Sequence, residues 1–72
     1  MPARKDPLLE AFGTRLGLVR RSAGFTQAQL GSALGISTAY VSVLERGHRN
    51  PPITLVLGIA RALAVPATSL VE

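Results

Sequence analysis

The sequence predicts an all-α domain, a compact bundle of four helices with a short fifth. Three observations predict it. Apolar residues recur at three- and four-residue spacing in four separate segments, with no strand-type alternation and no internal repeat. Gly24, Gly35, Gly47 and Pro66 fall at the ends of those segments, where a helix must stop. Two of the segments are short and flank Gly35-Ile36-Ser37, a turn too tight to leave them collinear.

Asp6-Pro7 opens the first helix, about Pro7 to Ser22. Asp caps the free amides, and Pro at the first helical position loses nothing. Leu8, Phe12, Leu16 and Val19 form its inward stripe. Gly13 and Gly17 weaken it by roughly 1 kcal/mol each against alanine, which predicts close packing on a neighbouring helix there. Gly24 closes it. Thr26 caps the second helix, which runs to about Leu34 with Leu30 and Leu34 inward, and Gly35 permits the positive φ after its end. Ser37 caps the third, Thr38 to Arg46, with Val41 and Leu44 inward, and Gly47 ends it. His48 to Pro52 is a basic loop whose double proline no helix can cross. The fourth helix, about Ile53 to Ala64, carries the core stripe Ile53, Val56, Ile59, Ala60 and Leu63. Pro66 begins a last turn to about Val71, in which Leu70 packs back.

Seventy-two residues make one domain near the lower limit for a self-sufficient core, residues 7–72, preceded by a flexible basic tail, residues 1–6. With 47% of the residues hydrophobic and 17% charged, not every apolar side chain can be hidden. The surplus points to a partner surface, most simply for a second copy of the chain. The net charge is +4, and between Ala11 and Val71 the only acid is Glu45, against Arg15, Arg20, Arg21, Arg46, Arg49 and Arg61. That balance suits phosphate contact.

Other classes find no residues. Without cysteine there is no thiolate metal site, and His48 alone cannot form one. There is no carboxylate cluster and no phosphate-cradling glycine loop, so neither an enzyme, a cofactor nor a small-molecule ligand is expected. The longest apolar run, Ile53 to Ala60, is too short to span a bilayer, and no signal-peptide pattern follows Arg4 and Lys5. The expected location is cytoplasmic.

The pair of short helices around Gly35 has the layout of a helix-turn-helix, whose second helix is free to enter a DNA major groove. Around it, Phe12-Gly13-Thr14-Arg15-Leu16, Gly24-Phe25-Thr26-Gln27, Leu30, Gly35-Ile36-Ser37, Tyr40-Val41-Ser42, Leu44-Glu45-Arg46-Gly47, Arg49-Asn50-Pro51 and Ile59-Ala60-Arg61-Ala62-Leu63 resemble the Cro/phage-repressor-like helix-turn-helix family. The resemblance runs from about Phe12 to Leu70. It implies a lambda-repressor-like DNA-binding domain with double-stranded DNA as its partner.

The resemblance also assigns roles. Gln27, in the first turn of the second helix, is implied to hydrogen-bond a backbone phosphate rather than to be an ordinary solvated amide; the positive helix end there suits an anion. Arg20 and Glu45 are implied to form a partly buried structural ion pair, against the alternative of a loose surface pair. Ser37, Thr38, Ala39, Ser42 and Val43 stand at or near the start of the third helix, at reading positions. Family members often carry Gln, Arg, Lys or Asn at the outward positions, and the small groups here leave base preference to methyl contacts, to Arg46 or Arg49, and to DNA shape. Tyr40 is either a phosphate contact or packing. Arg46, His48, Arg49 and Asn50 follow the third helix, where relatives touch the backbone, although a solvated loop is the alternative. Arg4 and Lys5 read as a disordered tail ahead of a minor-groove arm, and Arg61 as away from DNA.

A single small module contacts too little DNA for tight binding, so a homodimer on a palindromic operator is expected. Its interface candidates are Leu55, Leu57, Val65, Leu70 and Val71, with Leu55 foremost. The function these readings support is a sequence-specific transcriptional regulator, autoregulatory in the manner of a phage repressor or a restriction–modification controller. The alternatives are a protein-interaction module such as an antitoxin, or the DNA-binding fragment of a longer regulator.

Overall fold

A computed structural model describes residues 6–71; the basic tail expected for residues 1–6 lies outside that range except for Asp6. Four helices run α1 (Pro7–Ser22), α2 (Gln27–Leu34), α3 (Thr38–Glu45) and α4 (Ile53–Leu63), followed by a 3₁₀ turn (Ala67–Leu70). No strand occurs among the described residues, and no helix is long and apolar enough to cross a membrane.

Each helix begins where the sequence supplies an acceptor or a proline. The Asp6 carboxylate accepts from the Leu8 amide at 2.8 Å. Thr26 and Gln29 form a reciprocal capping box: the Thr26 hydroxyl accepts from the Gln29 amide, and the Gln29 side chain accepts from the Thr26 amide. The Ser37 hydroxyl accepts from the Tyr40 amide at 3.0 Å. Pro52 sits at the cap position of α4 without a side-chain bond.

The four helices end alike. A left-handed residue follows each of them, and the next amide reaches back to a carbonyl five residues earlier: Phe25 to Arg20, Ile36 to Gly31, His48 to Val43 and Val65 to Ala60. Glycine fills that place in three cases. In the fourth it is Ala64, at φ 57°, so α4 stops at Leu63 rather than running to Ala64. Arg46, expected as the last residue of α3, is its cap.

Phe12, Leu16, Leu30, Val41, Leu44, Val56, Ile59, Ala60, Leu63 and Leu70 form one core. α3 packs on α1 and α2, while α4 packs on α2 and on the 3₁₀ turn, which closes against α1. Two residues of the expected stripes lie elsewhere. Leu8 is 79% exposed and Ile53 67% exposed, because each sits in the first turn of its helix, where the stripe overhangs the bundle.

Where α1 crosses the end of α3 the two backbones touch. A side-chain carbon added at Gly13 would lie 2.5 Å from the Glu45 carbonyl oxygen and 2.6 Å from that of Leu44. Gly17, one turn further along α1, leaves room for the Glu45 carboxylate, 3.2 Å from the same imagined carbon. Gly47 is constrained twice, by φ 74° and by the backbone of Leu9 and Glu10, within about 3 Å of where its Cβ would stand. These contacts set the pose of α3 against the rest of the domain.

Candidate nucleic-acid interface

Glu45, the last residue of α3, is the centre of a network joining three helices. Arg20 of α1 donates to it from Nε and, at 3.1 Å, from Nη2. The two side chains are only 9% and 10% exposed, so this is an interior pair and not a surface one. The third guanidinium nitrogen, Nη1, donates to the Phe25 carbonyl at 2.8 Å and so ties down the loop ahead of α2. Gln27, the first residue of α2, donates from Nε2 to Glu45 Oε1 at 3.1 Å. Among the described residues no buried side-chain polar atom lacks a partner, and such completeness is what makes a buried charge pair tolerable.

This network brings Gln27 to the C-terminal end of α3, next in space to the segment that begins at Arg46. Arg46, His48, Arg49 and Asn50 are all exposed, and the nearest acid in sequence, Glu45, is already engaged by Arg20. Arg49 donates to the His48 carbonyl at 3.3 Å, a weak tether on an otherwise open side chain. The amides at the start of α2 and the loop cations therefore give this end of the helix pair a positive character.

The opposite end of α3, about 12 Å away for eight residues, carries Thr38 and Ala39, both exposed. Ser37 is exposed too, with its hydroxyl oxygen engaged as the cap of α3. Ser42 and Val43 are half-buried and offer only part of their surface. Tyr40 is half-buried, with its ring packed against the core. The chain thus presents at the start of α3 an edge of hydroxyls and small methyl groups, flanked at the far end by donors and cations. Such an edge suits apolar contact with thymine methyls and single hydrogen bonds, and it lacks bidentate readers.

The expected dimer residues do not form one patch. Leu70 is 0% exposed, held in the core by the 3₁₀ turn, and has no surface left for a partner. Leu55 and Val65 are half-buried and packed against the core. Leu57 is 51% exposed on α4, one turn after Ile53. Val71 instead lines a shallow groove with Leu8, Ala11 and Leu18 of α1.

The sequence reading missed two parts of this arrangement, Gln29 in the capping box and the bond from Gln27 to Glu45. The first was readable from the spacing Thr26-x-x-Gln29. The second had one signal: a carboxylate in a protein interior needs more donors than one guanidinium supplies.

Comparison with known proteins places residues 11–72 in register with the model of a family described as a helix-turn-helix domain. The HTH-type transcriptional regulator y4dJ of Sinorhizobium fredii is 39% identical over 59 residues, which cover 82% of this chain and 77% of that protein. Among solved structures, the restriction-modification controller protein C.AhdI from Aeromonas hydrophila superimposes with a TM-score of 0.81 at 35% identity, covering 86% of this chain and 94% of that one. SinR, described as a master regulator for biofilm formation and solved in complex with DNA, matches with a TM-score of 0.77 at 26% identity, covering 85% and 98% of the two chains.

Proposed function

Since the chain belongs to the helix-turn-helix domain family, we propose that it is a DNA-binding transcriptional regulator that reads a palindromic operator as a homodimer and controls its own gene. One observation carries the mechanism: Gln27 bonds to Glu45, the residue that precedes the Arg46–Asn50 loop at one end of α3, and the exposed first turn of α3 stands at the other. The first turn of α3 enters the major groove, where Thr38 and Ala39 meet base edges. The α2 end and the basic loop grip the phosphates that border the groove. Ser37, Tyr40, Ser42 and Val43 shape the edge between them. With few groups able to form paired hydrogen bonds, discrimination leans on methyl contacts and on the local deformability of the operator.

The likeness to a DNA-bound regulator and to a restriction-modification controller supports the DNA-binding and regulatory parts of this reading. The cytoplasm is where such a protein meets its operator. Fluorescence anisotropy on the DNA immediately upstream of its own gene, beside scrambled DNA and across a salt series, tests it. Binding at least about 10³-fold tighter to the upstream DNA, with a salt slope of several counterions, is expected. Equal, weak and steeply salt-dependent binding to both DNAs would remove autoregulation, placing the operator elsewhere or turning the reading face to a protein partner.

The dimer is assigned to the exposed side of α4 through Leu57, with Leu55 and Val65 at its margin. A twofold pair doubles the small DNA contact of one module. Leu57→Glu is expected to sediment as a folded monomer and to weaken operator binding about 100-fold or more, because two linked half-sites become one. A dimer of unchanged mass would exclude Leu57. Leu55→Glu is the poorer probe, since Leu55 is packed against the core and its loss also disturbs folding.

A further inference from the structure

We propose that Glu45 is the positioning residue for Gln27, so that the ion pair inside the domain presets the phosphate grip at the start of α2. The inference rests on the reading of Gln27 as a phosphate contact. A glutamine in the first turn of a helix ordinarily samples many rotamers, and binding an anion must freeze them. Here the side chain is already held, half-buried, by Glu45 Oε1 at 3.1 Å.

The contact also decides which way the amide faces. A carboxylate only accepts hydrogen bonds, so the amide nitrogen and not its oxygen must point at Glu45. One N–H is used there, and the second leaves the same nitrogen as a donor free to meet a phosphate oxygen. Without Glu45 the amide could turn its oxygen outward and meet the phosphate acceptor to acceptor.

Two further features fix Glu45 in place. Arg20 grips both carboxylate oxygens, and the absent side chain at Gly17 provides the space in which the carboxylate sits. Arg20 also holds the Phe25 carbonyl, two residues before Gln27. Its positive charge offsets the negative charge of Glu45, which would otherwise repel a phosphate at this end of the helix pair.

The sign of one substitution separates this role from plain electrostatics. Glu45→Gln removes a negative charge near the phosphate, which by charge alone tightens binding. Loss of positioning weakens it, because an amide at position 45 can present either its oxygen or its nitrogen to Gln27 and no longer fixes which way that side chain faces. Operator affinity is measured for the wild type, Gln27→Ala, Glu45→Gln and the double variant, below the melting temperature of each. Glu45→Gln is expected to weaken binding about tenfold when Gln27 is present and less than about twofold when it is alanine. Equal losses in both backgrounds, or tighter binding by Glu45→Gln, would overturn the proposal.

If Glu45→Gln fails to fold, the side-chain amide resonances of Gln27 in the wild-type protein decide instead. Two well-separated protons with slowed exchange are expected, and values like those of free glutamine would overturn it. A wild type that binds its operator while the cycle proves additive defeats this inference alone. A wild type without operator binding defeats the underlying reading as well.

Discussion

Glu45→Ala is expected to lower the stability of the domain by about 3 kcal/mol, the low end of the range for breaking a buried ion pair. The cause is less the lost attraction than what remains. Arg20, 7% exposed, would keep its charge in the interior with only the Phe25 carbonyl and stray water to receive it. A domain of this size has a total stability of only several kcal/mol, so the melting temperature should fall by more than about 10 °C. Thermal unfolding followed by circular dichroism measures it. Replacing both partners with apolar groups, Arg20→Met with Glu45→Leu, should recover part of the loss, since no charge is then stranded. A melting curve unmoved by Glu45→Ala would strip the pair of any structural role.

Two glycine-to-alanine changes should move stability in opposite directions. In a helix interior alanine is favoured over glycine by about 1 kcal/mol. At Gly58 of α4 the added carbon would make an ordinary contact of 3.5 Å with Leu34 Cδ2, so Gly58→Ala should gain about 0.5–1 kcal/mol. At Gly13 the same carbon would meet two carbonyl oxygens of α3 at 2.5 and 2.6 Å, and backbone atoms cannot swing aside. The helices must separate instead, at a cost of about 1–3 kcal/mol or more that outweighs the propensity gain. Gly13→Ala should therefore melt earlier and bind DNA more weakly, since α3 is pushed off α1. A stabilised Gly13→Ala protein would mean that α1 and α3 do not meet backbone to backbone.

Much of this was legible because the relevant chemistry is local. Asp6, Thr26 and Ser37 announce helix starts through their side-chain oxygens, and Gly24, Gly35 and Gly47 announce the ends. The core residues of α3 and most of those of α4 follow from spacing alone. Spacing failed at Leu8 and Ile53 for a definite reason. Periodicity gives the direction of a side chain around the helix axis, but not whether another element stands opposite at that height. Leu70 carried two readings, packing back after Pro66 and lining a dimer interface, and its burial keeps only the first. The Gln27–Glu45 bond joins residues 18 apart in sequence, and only the packed helices make them neighbours.

The bare junction between α1 and α3 has a mechanical side. Helices in most domains are separated by side chains, which can change rotamer and let the elements slide by small amounts. At Gly13 and Gly47 no such cushion exists, since main chain rests on main chain. The reading helix is consequently mounted stiffly, with little angular play of its own. Under the function proposed for the domain, a mismatch in shape between protein and operator then falls to the duplex, which must bend or twist to meet α3, so that sequences that deform easily gain affinity from base pairs the protein never touches.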